Sequence, residues 1–158
     1  MTHEKVIEET VFARLTELDF AHRYYAYCQQ FPINKRSKHL SEEELEQALD
    51  ELELEHFSKE KFYRFEENAG PWLFQLHFAY SSGSLELGVY AHHKGLTVGG
   101  AFHGLARTLM QSKHPGYEHK PRYPRLHPSS SADAKLLVAF GSEVYEAIKA
   151  DLIDLDIA

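Results

Sequence analysis

The chain has 158 residues, 43% hydrophobic and 13% aromatic, which is too apolar for a disordered segment and the length of one ordinary folding unit. Seventeen Lys and Arg against twenty-four Asp and Glu leave a formal charge of −7, which argues against a main role in holding nucleic acid or an anionic membrane and favours a cationic partner. The single cysteine, Cys28, rules out an internal disulfide framework, and the acid-studded N-terminus and lack of a long apolar run predict a cytoplasmic protein without a membrane span.

From His3 to Phe31 the residues Ile7, Val11, Leu15, Leu18 and Tyr25 recur at the spacing of one helical face, predicting a single long helix that Pro32 stops. Ser41 and Glu44 make a capping-box signature, and Leu40 and Leu45 a hydrophobic staple, so a second helix starts at Ser41. Leu45, Ala48, Leu49 and Leu52 form its buried stripe, and its end is expected near Glu55.

The pattern then changes to alternation. A short strand is expected around Phe62 to Glu66, followed by a turn at Asn68-Ala69-Gly70-Pro71. Trp72, Phe74, Leu76, Phe78 and Tyr80 occupy every second position, and the alternation resumes at Leu85, Leu87, Val89 and Ala91. A two-residue loop at Ser82-Gly83 would set Phe74 opposite Ala91, Leu76 opposite Val89 and Phe78 opposite Leu87, with both apolar sets on one face. Lys94-Gly95 reads as a second tight turn before a strand at Leu96 to Val98, after which Gly99 and Gly100 are expected to open a helix.

His114 to Ser131 holds four prolines and no sustained period, so it is expected to be an irregular arm over the surface. Ser130 and Asp133 start the last helix, whose stripe runs through Leu137, Phe140, Val144, Ile148, Leu152 and Leu155. The predicted architecture is a single α+β domain spanning 1–158, with N-terminal helices and a central antiparallel sheet of about three or four strands built on a hairpin at 72–92. A helix over about 101–112 and a long C-terminal helix over about 131–155 complete it.

Among chemical candidates, the run from Ser41 to Glu55 carries Glu43, Glu46, Asp50, Glu53 and Glu55 among eight acids and no base. Carboxylates in the first turn complement the helix dipole, but those toward the end oppose it, and acids at helical spacing repel. A basic partner would reverse that penalty, which makes these five residues the expected partner-binding set. Lys113, Lys120, Arg122 and Arg125 form a basic island on the arm, which could bind a phosphate or nucleic acid with Tyr117 and Tyr123 for stacking, but is expected rather to dock on the protein's own acidic surface or to join a partner interface.

An alternative anion site would use a Gly99-Gly100 turn at a helix N-terminus, with His103 and Arg107 one turn apart above it and Arg122 and Arg125 converging from the arm. The eleven histidines fall in no metal-binding motif, and the neighbours His92 and His93 must point to opposite strand faces; His77, His92, Glu86 and Tyr90 form at most a weak polar cluster. No metal and no cofactor are expected. Cys28 reads as a core residue, and no GxSxG elbow occurs, so no catalytic residue is assigned.

The segments WLFQLHF, GVYAHHKGLTVGGAF and YPRLHP and the closing LLVAFGSEVYEAIKADLI helix resemble, in layout, small bacterial immunity proteins of polymorphic-toxin and contact-dependent growth inhibition systems. That resemblance implies a cytoplasmic, non-catalytic protein that neutralises a cognate toxin domain, in many cases a basic nuclease, by covering it. It transfers no contact residues. The readings from other classes are a small anion- or nucleotide-binding enzyme at the Gly99-Gly100 site and an adaptor or assembly subunit.

Overall fold

The computed structural model describes residues 2–33, 39–52, 56–59, 62–122 and 124–155, with the backbone alone for 56–59. The elements in chain order are α1 (His3–Glu17), α2 (Phe20–Gln30), α3 (Glu42–Leu49), β1 (His56–Lys59), β2 (Phe62–Ala69), β3 (Trp72–Ser81), β4 (Ser84–His93), β5 (Leu96–Ala101), α4 (Phe102–Lys113) and α5 (Ser131–Ile153). The five strands form one antiparallel meander in sequence order. This is the α+β architecture that the alternation predicts, with β2 to β5 as its strands and the four-residue β1 added at the edge.

The β3–β4 register is the predicted one: Phe74 pairs with Ala91, Leu76 with Val89 and Phe78 with Leu87. Ser82 (φ 52°) and Gly83 (φ 81°) both adopt left-handed backbone, as do Lys94 (φ 48°) and Gly95 (φ 81°) at the next turn. Two successive positive φ angles are the mark of the type I′ turn, whose twist matches that of the strands it joins. Alternation then gives the sheet one apolar face, with Phe65, Phe74, Leu76, Phe78, Leu87 and Val89 buried.

The helices pack on that face. α5 lies across β3 and β4, while α1 and α4 reach β5 and α4 also touches β4. Gly141 allows the close approach of α5, since a Cβ there would lie 2.8 Å from Leu87 Cδ2. Three of the ion pairs that tie α5 to its neighbours are as short as 2.7 Å. The Arg14 guanidinium donates to both Asp151 oxygens at 2.8 and 2.7 Å, joining α1 to α5. Arg23 makes the same fork to Glu143 from α2, at 2.7 Å twice. Lys149 and the Tyr145 hydroxyl both donate to Glu67 on β2, at 2.7 and 2.6 Å. The two guanidinia hold Asp151 and Glu143 below the usual carboxylate range, and at Glu67 the two donors outweigh burial, which acts in the opposite direction.

Three features depart from the sequence reading. The expected single helix from His3 to Phe31 is divided at Leu18-Asp19, where Asp19 takes left-handed backbone (φ 54°) and caps α2. Aspartate tolerates that conformation because its short side chain bonds locally, here to His22 Nδ1 at 2.8 Å. The capping box of Ser41 and Glu44 is formed as expected, but α3 ends at Leu49 with Asp50 as its C-cap, well before Glu55. Extension would have stacked Glu51 and its neighbours against the negative end of the helix dipole.

Gly99 and Gly100 do not open a helix. Both lie in β5, paired with Tyr90 and Val89, and α4 begins only after Ala101. Gly99 has φ +97°, and a Cβ on it would sit 2.1 Å from the Val89 carbonyl oxygen, so no side chain fits between the strands. Gly95, also at positive φ (+81°), has open space around it. Substitution by alanine separates the two effects: Gly95→Ala carries the left-handed backbone penalty of about 1–2 kcal/mol alone, whereas Gly99→Ala adds a backbone clash. Urea unfolding should therefore place the Gly99→Ala midpoint clearly below that of Gly95→Ala; equal losses would refute the close approach.

Candidate functional site

The arm from His114 to Ser130 is seated by apolar and backbone contacts. Leu126 is buried and bridges Leu85 at the free edge of β4, with the Leu85 N–H donating to the Leu126 carbonyl at 2.9 Å. The His127 N–H donates to the Phe31 carbonyl at 2.9 Å, and its ring Nδ1–H donates to the Gly83 carbonyl at 3.2 Å. Because a carbonyl only accepts, this contact fixes the proton on Nδ1 in the neutral ring. Farther back, the His119 ring stacks on Tyr25 with centroids 4.1 Å apart. The arm is thus inserted along α2 and beside α4.

That seating brings the basic residues of two segments together. Arg122 and Arg125 from the arm, His103 and Arg107 from α4, Glu86 from β4 and Tyr24 from α2 line one pocket of about 50 Å³. The four residues proposed from sequence as an anion set therefore converge, while Gly99 and Gly100 do not line the pocket. His103 Nδ1 lies 3.1 Å from Glu86 Oε1, and Arg107 and Arg122 each interact within the chain. Sequence reading missed Glu86, Tyr24 and Tyr25 as pocket residues. Only the tertiary docking of the arm, which periodicity does not encode, brings them into it.

A larger pocket of about 610 Å³ adjoins the first across Pro124 and Arg125, next to Cys28, Pro32, Ile33 and Pro121. Cys28 offers no nucleophile there, since burial pushes its thiol up to about 11 despite a hydrogen bond with Tyr24.

The acidic set lies on α3. Glu42, Glu46 and Asp50 recur every fourth residue, with Glu43 beside them, and all four are exposed, opposite the buried stripe of Leu45, Ala48 and Leu49. Glu46 accepts a hydrogen bond from the buried Tyr63 hydroxyl at 3.2 Å, and Glu51 meets Lys135 of α5 at 3.1 Å. Among the described residues, Glu42, Glu43 and Asp50 take part in no ion pair. Glu53 and Glu55 lie outside the described residues.

The polar face of the sheet is committed internally. Gln75 Nε2 donates to Glu66, which leaves its Oε1 to accept from His92 Nε2 at 3.0 Å; His92 Nδ1 then accepts from the Thr97 hydroxyl at 2.8 Å. Both His92 nitrogens are occupied, and His93 faces the core against Trp72. Among the described residues no group of three or more His, Cys, Asp or Glu side chains is placed to hold a metal ion, and no helix is long and apolar enough to cross a membrane.

His77 lies between Phe62 and Tyr90 with its Nε2 buried and without a hydrogen-bond partner. Burial first, then the nearby Arg64 and His92, lowers it to about 4 from an ordinary 6.5. A histidine neutral in the fold but protonated when unfolded stabilises fully above pH 6.5, and that contribution is lost as the pH falls toward 4. A His77→Phe variant should accordingly show a flatter fall in its urea midpoint across this window than the parent chain; parallel curves would rule out the buried neutral imidazole.

Comparison with protein-family models, with curated proteins and with solved structures finds no match to this chain.

Proposed function

We propose that this chain is a non-catalytic binding protein that seats the exposed stripe of α3 on a basic protein domain, the role of an immunity protein toward its cognate toxin. The observation that carries this reading is the spacing of Glu42, Glu46 and Asp50 along one exposed helical face, flanked by Glu43 and without a cation among the described residues to offset them. Asp151, Glu143 and Glu67, by contrast, each meet a close cation. On α3, like charges at i and i+4 are left side by side, at a cost of a few tenths of a kcal/mol per pair.

The end of α3 at Leu49 narrows the argument. Glu42, Glu43 and Glu44 sit in its first turn and are favoured by the dipole, so only Asp50 opposes it from within the described helix and its cap. Repulsion along the exposed stripe, relieved by a cationic surface, is what supports the reading. Leu136 on α5, the helix against which α3 packs, is 48% exposed and is our candidate for an apolar anchor of the partner.

Co-purification with the toxin domain encoded by the adjacent gene tests the assignment directly, and a neighbour that is no toxin, or does not bind, ends it. In the complex, the Glu46→Lys/Asp50→Lys double variant should slow association by about tenfold at low salt and flatten its salt dependence. Leu136→Ala should act instead on dissociation, weakening binding by about 1–2 kcal/mol. An unchanged association rate in the double variant would make the α3 stripe a solvated face.

A further inference from the structure

The pocket beneath the arm has an electrostatic character that the acidic total conceals. Three guanidinia, from Arg107, Arg122 and Arg125, and one carboxylate, Glu86, line a space of about 50 Å³; Arg107 and Arg122 also interact within the chain and keep donors of their five N–H groups for a ligand. Those four side chains sum to two formal positive charges in a molecule of formal charge −7. A space that size holds a few waters or one small oxyanion, not an organic molecule. Arginine is the side chain whose planar fork matches phosphate and carboxylate oxygens in pairs.

The count of charges selects between those two. A carboxylate brings one negative charge, whereas a phosphomonoester brings roughly −1.5 to −2 near neutral pH and neutralises the lining. The space next door sets what the phosphate is attached to. Tyr24, Tyr25, Cys28 and Gln29 follow one another along α2, with Pro32 just past its end, and pass from the basic pocket into the neighbouring cavity of about 610 Å³. That volume falls in the range of about 300–1,000 Å³ typical of small-molecule sites, and Cys28, Pro32, Ile33 and Pro121 make much of its lining apolar.

The geometry points to a binding site for a small organic phosphomonoester, its phosphate held by Arg107, Arg122 and Arg125 and its apolar body lying along α2 beneath the arm. Glu86 is the built-in competitor of the phosphate: its carboxylate lines the same pocket, 3.1 Å from His103 Nδ1. The site is separate from the α3 stripe and does not depend on the toxin-binding reading.

Calorimetric titration of the full chain with inorganic phosphate, phenyl phosphate and benzoate near neutral pH tests it. Both phosphates should bind saturably, phenyl phosphate more tightly than inorganic phosphate because of its ring, and benzoate should bind more weakly than phenyl phosphate because it carries a single charge. Arg125 is exposed, so Arg125→Gln leaves the core untouched and should weaken phenyl phosphate by about tenfold, the loss of one charge-assisted bond. Glu86→Gln should strengthen it several-fold. The Glu46→Lys/Asp50→Lys variant should bind phenyl phosphate as the parent does, so failure of either proposal leaves the other standing. Absence of saturable binding by both phosphates, equal affinity for benzoate and phenyl phosphate, or an unchanged affinity in Arg125→Gln would each overturn the assignment.

Discussion

The pairing of β3 with β4 is the constraint on which the rest of the molecule rests. A slip of one residue would turn Phe74, Leu76 and Phe78 to the polar face and bring Gln75 and His77 under the helices. The two-residue turn at Ser82-Gly83 prevents that slip because both residues must be left-handed, which ties the register to one position in the chain. α5 then has a single apolar surface to cover, and Gly141 lets it approach closely over Leu87. The forks from Arg14 and Arg23 fasten α1 and α2 to α5 and so, indirectly, to the sheet.

The same hairpin positions the arm. β4 extends past the end of β5, whose last residue, Ala101, pairs with Gly88. The edge of β4 from Ser84 to Leu87 is therefore free to take another partner, and Leu126 fills part of it by bridging Leu85. Covering an open edge satisfies backbone groups that would otherwise invite another chain. It also fixes where Arg122 and Arg125 come to lie, close to the first turn of α4 and to α2.

How much of this was legible in the sequence follows from the range of each signal. Period-two alternation and a Ser-Gly turn are local, and they gave the β3–β4 register residue by residue. The Ser41/Glu44 capping box is local too, and it located the start of α3. The break between α1 and α2 escaped because the apolar spacing continues through Leu18, and nothing in the pattern reports the backbone angle of Asp19. Gly99 and Gly100 were misread because a glycine pair marks close approach as readily as a turn, and only the pairing with Tyr90 and Val89 distinguishes the two. In the pocket, His103 and Arg107 were visible as an i, i+4 pair, whereas Arg122 and Arg125 join them only through the seating of Leu126, a contact across about 40 residues of sequence.

The distribution of charge follows from how each segment is held. Leu126 and the backbone bonds of His127 seat the arm, and that seating places the guanidinia of Arg122 and Arg125 beside Arg107 around a pocket. On α3 the buried stripe of Leu45, Ala48 and Leu49 anchors the helix, and the carboxylates of Glu42, Glu43 and Asp50 stay exposed on the other side. Those charges affect the energy of the isolated chain mainly through mutual repulsion, and an oppositely charged ligand removes that repulsion. A total of −7 averages over two surfaces, the α3 stripe and the arginine pocket, whose charges are of opposite sign.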